Sequence, residues 1–356
     1  MSDPQPVLKG IGRQIDVVGF FARTQRLVEA KGGMIFTHSK VTDLLVEEGA
    51  VIGAVVVDHA TGERAQIDAS ATVLATGGFH GNGALREHFG LPNGQSLIPR
   101  GNPHNKGGGL ELGLSVGAGV SRGMSSFYGH PVPYPLQKLE RRDYTMLVQY
   151  QVMQGILLDK SGTRFCDESL SYSYAAQCIA SQGTALLIID ERCRRDHLLK
   201  PFLPGMESGL DKMAEGGARG ANYARGSLAE VATACAAWGY SERGVTESVS
   251  EFNRDPSRMR TRYREPLAEA PYSALEVQGS ITFTFGGLAA DVDGRVLDEK
   301  GQPIRGLFAA GVEAGGLSVA GYAGGLVRGL TLGRRTARRL LAKGSDDSGI
   351  KDGAHV

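Results

Sequence analysis

The sequence predicts an α/β (α+β) fold in which one strand-and-helix domain is interrupted by a second, mixed domain. Three observations carry this expectation. Two short apolar runs each deliver glycines at their C-terminal end, Val73-Leu74-Ala75-Thr76-Gly77-Gly78 and Gly306-Leu307-Phe308-Ala309-Ala310-Gly311. In open α/β sheets that end of a strand is where ligands bind. A β-rich meander separates helical spacing near the start from the first of these runs. The segment from about Arg122 to Glu269 then has a different texture, and β character returns after Pro271.

Taken in order, apolar residues at Val17, Phe20, Phe21, Leu27 and Val28 predict a helix over Ile15 to Lys31, stopped by Gly32-Gly33. Strands are expected at Met34–Thr37, Val41–Val46, Val51–Asp58 and Arg64–Asp68, with turn residues between them. Ala71–Thr76 reads as a buried strand and Gly107–Val120 as a glycine-opened helix. The middle holds a proline-rich stretch (Pro131, Pro133, Pro135), an isolated strand at Ala185–Asp190, and helices over Leu228–Trp238 and Glu242–Phe252. Further strands are expected at Ser280–Phe285, Leu288–Val292 and Leu307–Ala310. A closing helix over Gly324–Leu341 carries basic residues in its last turns, as the helix dipole favours. The domain boundaries read as 1–125, 126–270 and 271–343, with 344–356 a polar, disordered tail.

Composition narrows the function classes. The 356 residues carry 39 basic and 38 acidic side chains, a net charge of +1, which gives no support to nucleic-acid or polybasic membrane binding. The 51 glycines, about twice average usage, are clustered and not periodic, so the backbone is expected to approach a phosphate or flat ring closely. The four cysteines form no CxxC pair, and no metal site is expected. No apolar run is long enough to span a membrane, and residues 1–13 have no signal-peptide core, so the expected location is cytoplasmic. GxGxxG, a P-loop and paired helical histidines are all absent. Gly113-Leu114-Ser115-Val116-Gly117 matches the hydrolase GxSxG in letters, but it lies in a helical run and not at a strand-to-helix turn.

The two strand-to-glycine segments, with Asn105 to Leu110, Gly155 to Glu168 and Ile281 to Gly287, resemble the fumarate reductase/succinate dehydrogenase flavoprotein superfamily. The resemblance runs from about Phe20 to Leu341 and is nearest to tricarballylate dehydrogenase-like and 3-ketosteroid dehydrogenase-like enzymes. It implies FAD as cofactor and a Rossmann-like FAD-binding domain with an inserted α+β substrate (capping) domain. The family's N-terminal ADP-binding βαβ unit has no counterpart here, so the FAD-binding domain is expected to be incomplete and FAD binding by this chain alone to be weak. The implied reaction is oxidation of a C–C bond beside a carbonyl or carboxylate, or its reverse, with hydride exchanged at flavin N5. The alternative is a non-catalytic or truncated remnant acting as a binding or regulatory subunit. Implied partners are a small carboxylate or ketone, and a separate chain supplying the ADP-binding unit or accepting electrons.

By the same resemblance, the backbone at Val41 meets the adenine, and Thr76, Gly77 and Gly78 pass close to the cofactor. Glu313 matches the carboxylate that holds ribityl or ribose hydroxyls, and Gly324, Gly325 and Leu326 open the last helix beneath the isoalloxazine. On the substrate side, His130 matches a carboxylate-binding histidine, Glu168 a relay carboxylate, and Arg194 the proton-delivering arginine. Thr282 and Thr284 are lesser hydrogen-bonding groups. Phe283 and Tyr322 replace a histidine and an arginine that clamp dicarboxylates, which argues against fumarate. Tyr322 is expected instead to donate to, or polarise, a carbonyl.

Overall fold

The computed structural model describes residues 16–136, 138–202, 209–318 and 324–346, with the backbone alone at 5–7, 10–12 and 343–346. Helix makes up 32% and strand 25%, which is the mixed class expected.

The chain enters with a two-stranded ribbon, β1 (Gln5–Val7) and β2 (Gly10–Gly12), followed by α1 (Val17–Ala30). Asp16 caps α1 by accepting the Gly19 amide. The meander follows as β3 (Ser39–Glu47), β4 (Ala50–Asp58) and β5 (Arg64–Asp68), then β6 (Thr72–Leu74). After α2 (Gly83–His88), β7 (Ile98–Pro99) and α3 (Gly108–Ser115) comes β8 (Phe127–Pro133). The middle of the chain contributes α4 (Asp143–Met146), β9 (Ile156–Leu158), α5 (Tyr172–Gln182), β10 (Thr184–Ile189) and α6 (Glu191–Cys193). It continues with α7 (Lys212–Ala218), β11 (Tyr223–Gly226), α8 (Leu228–Ala236) and α9 (Glu242–Arg254). The last elements are β12 (Tyr272–Thr284), β13 (Arg295–Leu297), β14 (Pro303–Ala309) and α10 (Gly325–Asp346).

Among the described residues, strands β3 to β14 form two six-stranded sheets. In the first, the order is β13-β14-β4-β3, with β5 on β4 and β6 on β14. Strands β6 and β14 run parallel, Leu307 opposite Thr72 and Ala309 opposite Leu74, so both strand-to-glycine turns emerge side by side. In the second the order is β11-β12-β10-β9, and β12 also pairs β7 and β8. β12 lies beyond the expected insert boundary at residue 270, yet it is the strand that every neighbour but β9 shares. Side-chain alternation on β10 separates two cores. Leu186 and Ile188 face Val231, Val249 and Phe252 of α8 and α9. Ala185, Leu187 and Ile189 face Ile179, Leu275 and Phe285. A third cluster, with Phe79, Leu110, Phe127, Ile281 and Leu307, joins the two sheets.

Several expectations are corrected. Among the described residues Met34–Thr37 pairs with no strand, and Met34 and Phe36 stand exposed. α3 ends at Ser115 and not at Val120, because Gly117 turns the chain at φ +86. Ala185–Asp190 is not isolated: β10 is an interior strand flanked by β9 and β12. Among the described residues Leu288–Val292 makes only isolated bridges, Leu288 to Val120 and to Ala314 and Ala290 to Val296. Residues 344–346, expected in the tail, belong to α10, which continues to Asp346. The remainder of that tail, 347–356, lies outside the described residues.

Candidate active site

The first half of the site is the pair of strand ends. Thr76, just beyond β6, gives both its amide (2.9 Å) and its hydroxyl (2.6 Å) to Oε2 of Glu313. The Gly109 amide completes the link by donating to Thr76 Oγ1 at 3.0 Å. Glu313 is only 1% exposed, and its Oε1 has no partner. Burial raises its pKa, opposed by the Thr76 hydrogen bonds. The glycines are required by contact. Gly77 holds φ +91, and a Cβ on Gly78 would lie 2.5 Å from Thr284 Oγ1. A Cβ on Gly109 would fall 2.4 Å from Glu313 Oε2. Gly324 (φ +81) and Gly325 open α10, which crosses near Gly311 through Gly329, while Leu326 is exposed. Val41 sits on β3 opposite Val56, with its side chain exposed.

The second half is an aromatic cluster on β8, β12 and α5. Tyr128 and His130 alternate on β8 and so share one face. Tyr128 OH and Tyr172 OH share a hydrogen bond at 2.9 Å, and Tyr128 OH lies 3.2 Å from His130 Nε2. The His130 ring stacks on Tyr172 at 4.8 Å, and Phe283 stacks on Tyr128 at 5.0 Å. Ser171 caps α5 by accepting from the Tyr174 amide, which fixes Tyr172 as its first residue. Arg100 is buried, donates from Nη1 to Thr282 Oγ1 at 3.0 Å, and anchors itself on the Tyr144 carbonyl. Lys212 lies over the Tyr150 ring at 5.0 Å.

This environment tunes the titrating groups. Burial, then Tyr172, drives the Tyr128 hydroxyl upward, with Arg100 opposing. Burial and the Arg100 charge hold His130 well below the ordinary histidine range, so it is neutral. Thr284 joins the two halves: it is buried on β12 beside Phe283, and its hydroxyl abuts Gly78 without a partner. A cleft of about 320 Å³, lined by Tyr150, Met153, His197, Phe202 and Tyr263 among others, opens beside the cluster through Tyr150.

Two expected residues lie elsewhere. Arg194 is held by Asp211 (2.6 Å) and Glu191 (3.3 Å), and these carboxylates keep its guanidinium charged and occupied. Its neighbours are thus acidic groups and not the tyrosines. Glu168 is fully buried, bound by Arg164 through both oxygens and by the Leu157 amide, so its acceptors are taken up structurally. Tyr322 lies outside the described residues. Arg100, Tyr128, Tyr150 and Tyr172 belong to the cluster although no sequence motif marked them. The i, i+2 spacing of Tyr128 and His130 was the available signal, masked by the prolines around it.

The pattern of the FAD binding domain family matches residues 13–326. The chain belongs to that family. Its cofactor is FAD, and the site fits that group: a buried carboxylate with one unpartnered oxygen sits against Gly109, where a Cβ would not fit. Relatives include a vinyl phenol reductase from Lactiplantibacillus plantarum, 26% identical over 88% of this chain and 67% of that protein. A 4-oxocyclohexanecarboxylate 2-dehydrogenase from Sinomonas cyclohexanicum is 29% identical over 92% of this chain and 59% of its own length. The structure of 3-ketosteroid delta1-dehydrogenase from Sterolibacterium denitrificans superposes with a TM-score of 0.66 at 22% identity, covering 90% of this chain and 62% of that one, a likeness of fold. The chain thus spans about three fifths to two thirds of the length of these proteins. Among the described residues no helix is long and apolar enough to cross a membrane.

Proposed function

We propose that this FAD-binding chain carries the active site of an oxidoreductase that makes or reduces a C–C double bond beside a carbonyl or carboxylate. The first sheet is read as the FAD-binding half and the second as the capping half. The observation that carries the reading is the Tyr128–Tyr172 hydrogen bond at 2.9 Å, linked through Phe283 and Thr284 to the glycines at Gly77-Gly78.

FAD, when bound, supplies the hydride acceptor or donor. The chain's own residues handle the other hydrogen and the charge that develops on oxygen. A phenol kept protonated by burial is a hydrogen-bond donor to a carbonyl or enolate oxygen, an oxyanion-type role. Tyr172, bonded to Tyr128, can exchange a proton with the substrate α-carbon while Tyr128 balances the charge on its oxygen. Neutral His130 orients that pair through Nε2. Arg100 and Lys212 bring positive charge to the cluster, which favours a substrate bearing a carboxylate or passing through an enolate.

Fumarate is disfavoured in this reading, since apolar Phe283 stacks on Tyr128 where the resemblance expects a carboxylate donor. Glu313 and Thr76 to Gly78 serve FAD, and Thr282 and Thr284 serve the substrate. Tyr322 is retained as a further proton donor on the resemblance alone. Relatives named for 4-oxocyclohexanecarboxylate and vinyl phenol support a ring ketone or an unsaturated aromatic substrate.

Replacing Tyr172 with phenylalanine tests the reading. With FAD supplied in excess and ring ketones or unsaturated carboxylates as substrates, Tyr172→Phe should lower turnover by about 10²–10⁴-fold, the scale of losing a general acid–base group. Flavin content should stay unchanged. Turnover at the wild-type level in that variant would remove the tyrosine pair from the reaction.

A further inference from the structure

We propose that a groove beside the start of α10 binds a small organic anion with an apolar body, its anionic head held by Arg328. The groove has a volume of about 340 Å³ and is lined by Val292, Leu317, Val327, Thr331, Leu332 and Arg335 as well as Arg328. That volume is at the lower end of the range for small-molecule sites.

Arg328 is 5% exposed, and among the described residues none of its three guanidinium nitrogens has a hydrogen-bond partner. A guanidinium removed from water without a counter-charge is strongly unfavourable. Its position adds to the cost. The Arg328 amide donates to the Gly324 carbonyl, which places the residue in the first turn of a 22-residue helix that has no acidic residue in that turn. The N-terminal end of a helix is the positive end of its dipole, where anions are favoured and cations are not. A bound anion would supply the counter-charge that the guanidinium lacks.

The second cation lining the groove is already engaged: Arg335 donates to the Val292 carbonyl and pairs with Asp293 at 2.9 Å. Arg328 is therefore the group left for a ligand. The walls fix the rest of the ligand's chemistry. Val292, Leu317 and Val327 are 71%, 56% and 61% exposed, so an aliphatic or aromatic body would cover apolar surface that now faces water. An aliphatic or aryl carboxylate meets both requirements.

The probes are octanoate, uncharged octanamide and inorganic phosphate, added to the FAD-loaded chain and followed by calorimetric titration and thermal unfolding. Octanoate should bind saturably and raise the unfolding midpoint, while octanamide and phosphate should do neither. Arg328→Met should weaken octanoate by about tenfold or more. Without ligand this variant should be at least as stable as the wild type, because an unpaired buried charge has been removed. Thr331→Trp keeps the arginine but fills the groove, and it should also lose octanoate. Equal binding of octanamide, binding of phosphate as tightly as octanoate, octanoate binding retained in either variant, or a loss of stability in ligand-free Arg328→Met would each overturn the proposal.

Discussion

Glu313 has one carboxylate oxygen committed to Thr76 and one buried without a partner. Glutamine keeps the shape and the Thr76 bonds but removes the charge. Glu313→Gln should therefore weaken FAD roughly ten- to a hundredfold, the scale of a hydrogen bond to a charged group, with folding preserved. Flavin fluorescence titration reads the change, and unchanged affinity would take Glu313 out of the FAD site. A second residue-scale effect comes from the histidines. Burial, aided by Arg86, pushes His80 down to about 4, and burial with Arg100 holds His130 well below its usual range. Both stay neutral when folded, yet bind a proton near pH 6.5 when unfolded. The unfolded state thus gains protons as pH falls through about 6.5, and stability drops until the folded values are reached. Between about pH 7.5 and 5.5 the loss should be roughly 1 kcal/mol per histidine in urea unfolding. His80→Gln should reduce that difference, and an unaltered pH dependence would contradict the assignment.

Strand β12 shows how one element stores stability. Its Glu276, 1% exposed, accepts from Lys160 (2.6 Å), Asn222 (2.6 Å), Thr184 (2.9 Å) and Tyr240 (3.1 Å). Glu276→Ala leaves those donors without their acceptor and should destabilise the fold by about 3–5 kcal/mol, measured by urea titration. A change under about 1 kcal/mol would show that water replaces the carboxylate. The same residue explains a sequence reading that fell short. The expected strand began at Ser280, whereas β12 begins at Tyr272, because a charged residue interrupts the apolar run and its buried partners are distant in sequence. Helices α8 and α9 were legible, their apolar spacing and serine caps being local signals. Strand β8 was not, because Pro131 and Pro133 read as a loop. The strand forms since Gly129, Val132 and their neighbours still pair across to β12. Helix α5 was missed too: its tyrosines and serines give a weak period, and packing against β8 and β12 supplies what propensity lacks.

At the scale of the whole molecule, the two strand-to-glycine turns were legible and the aromatic cluster only in part. Thr76, Gly77, Gly78 and Glu313 lie in two short segments whose parallel pairing follows from their pattern. The aromatic cluster gathers Arg100, Tyr128, Tyr172 and Phe283 from four segments, and no local spacing joins them. Arg194 and Glu168 matched in sequence context, but ion pairs with Asp211 and Arg164 hold them elsewhere. The fold therefore brings one buried carboxylate and one tyrosine pair to either side of Thr284. The most direct test of that arrangement is to load the chain with FAD, exclude oxygen, and add a saturated ring ketone or carboxylate while following the visible flavin absorbance. The absorbance should bleach as the substrate is dehydrogenated and return when an unsaturated partner is added. Full flavin occupancy with no bleaching by any such compound, and no reoxidation of the reduced flavin by the unsaturated ones, would contradict the account.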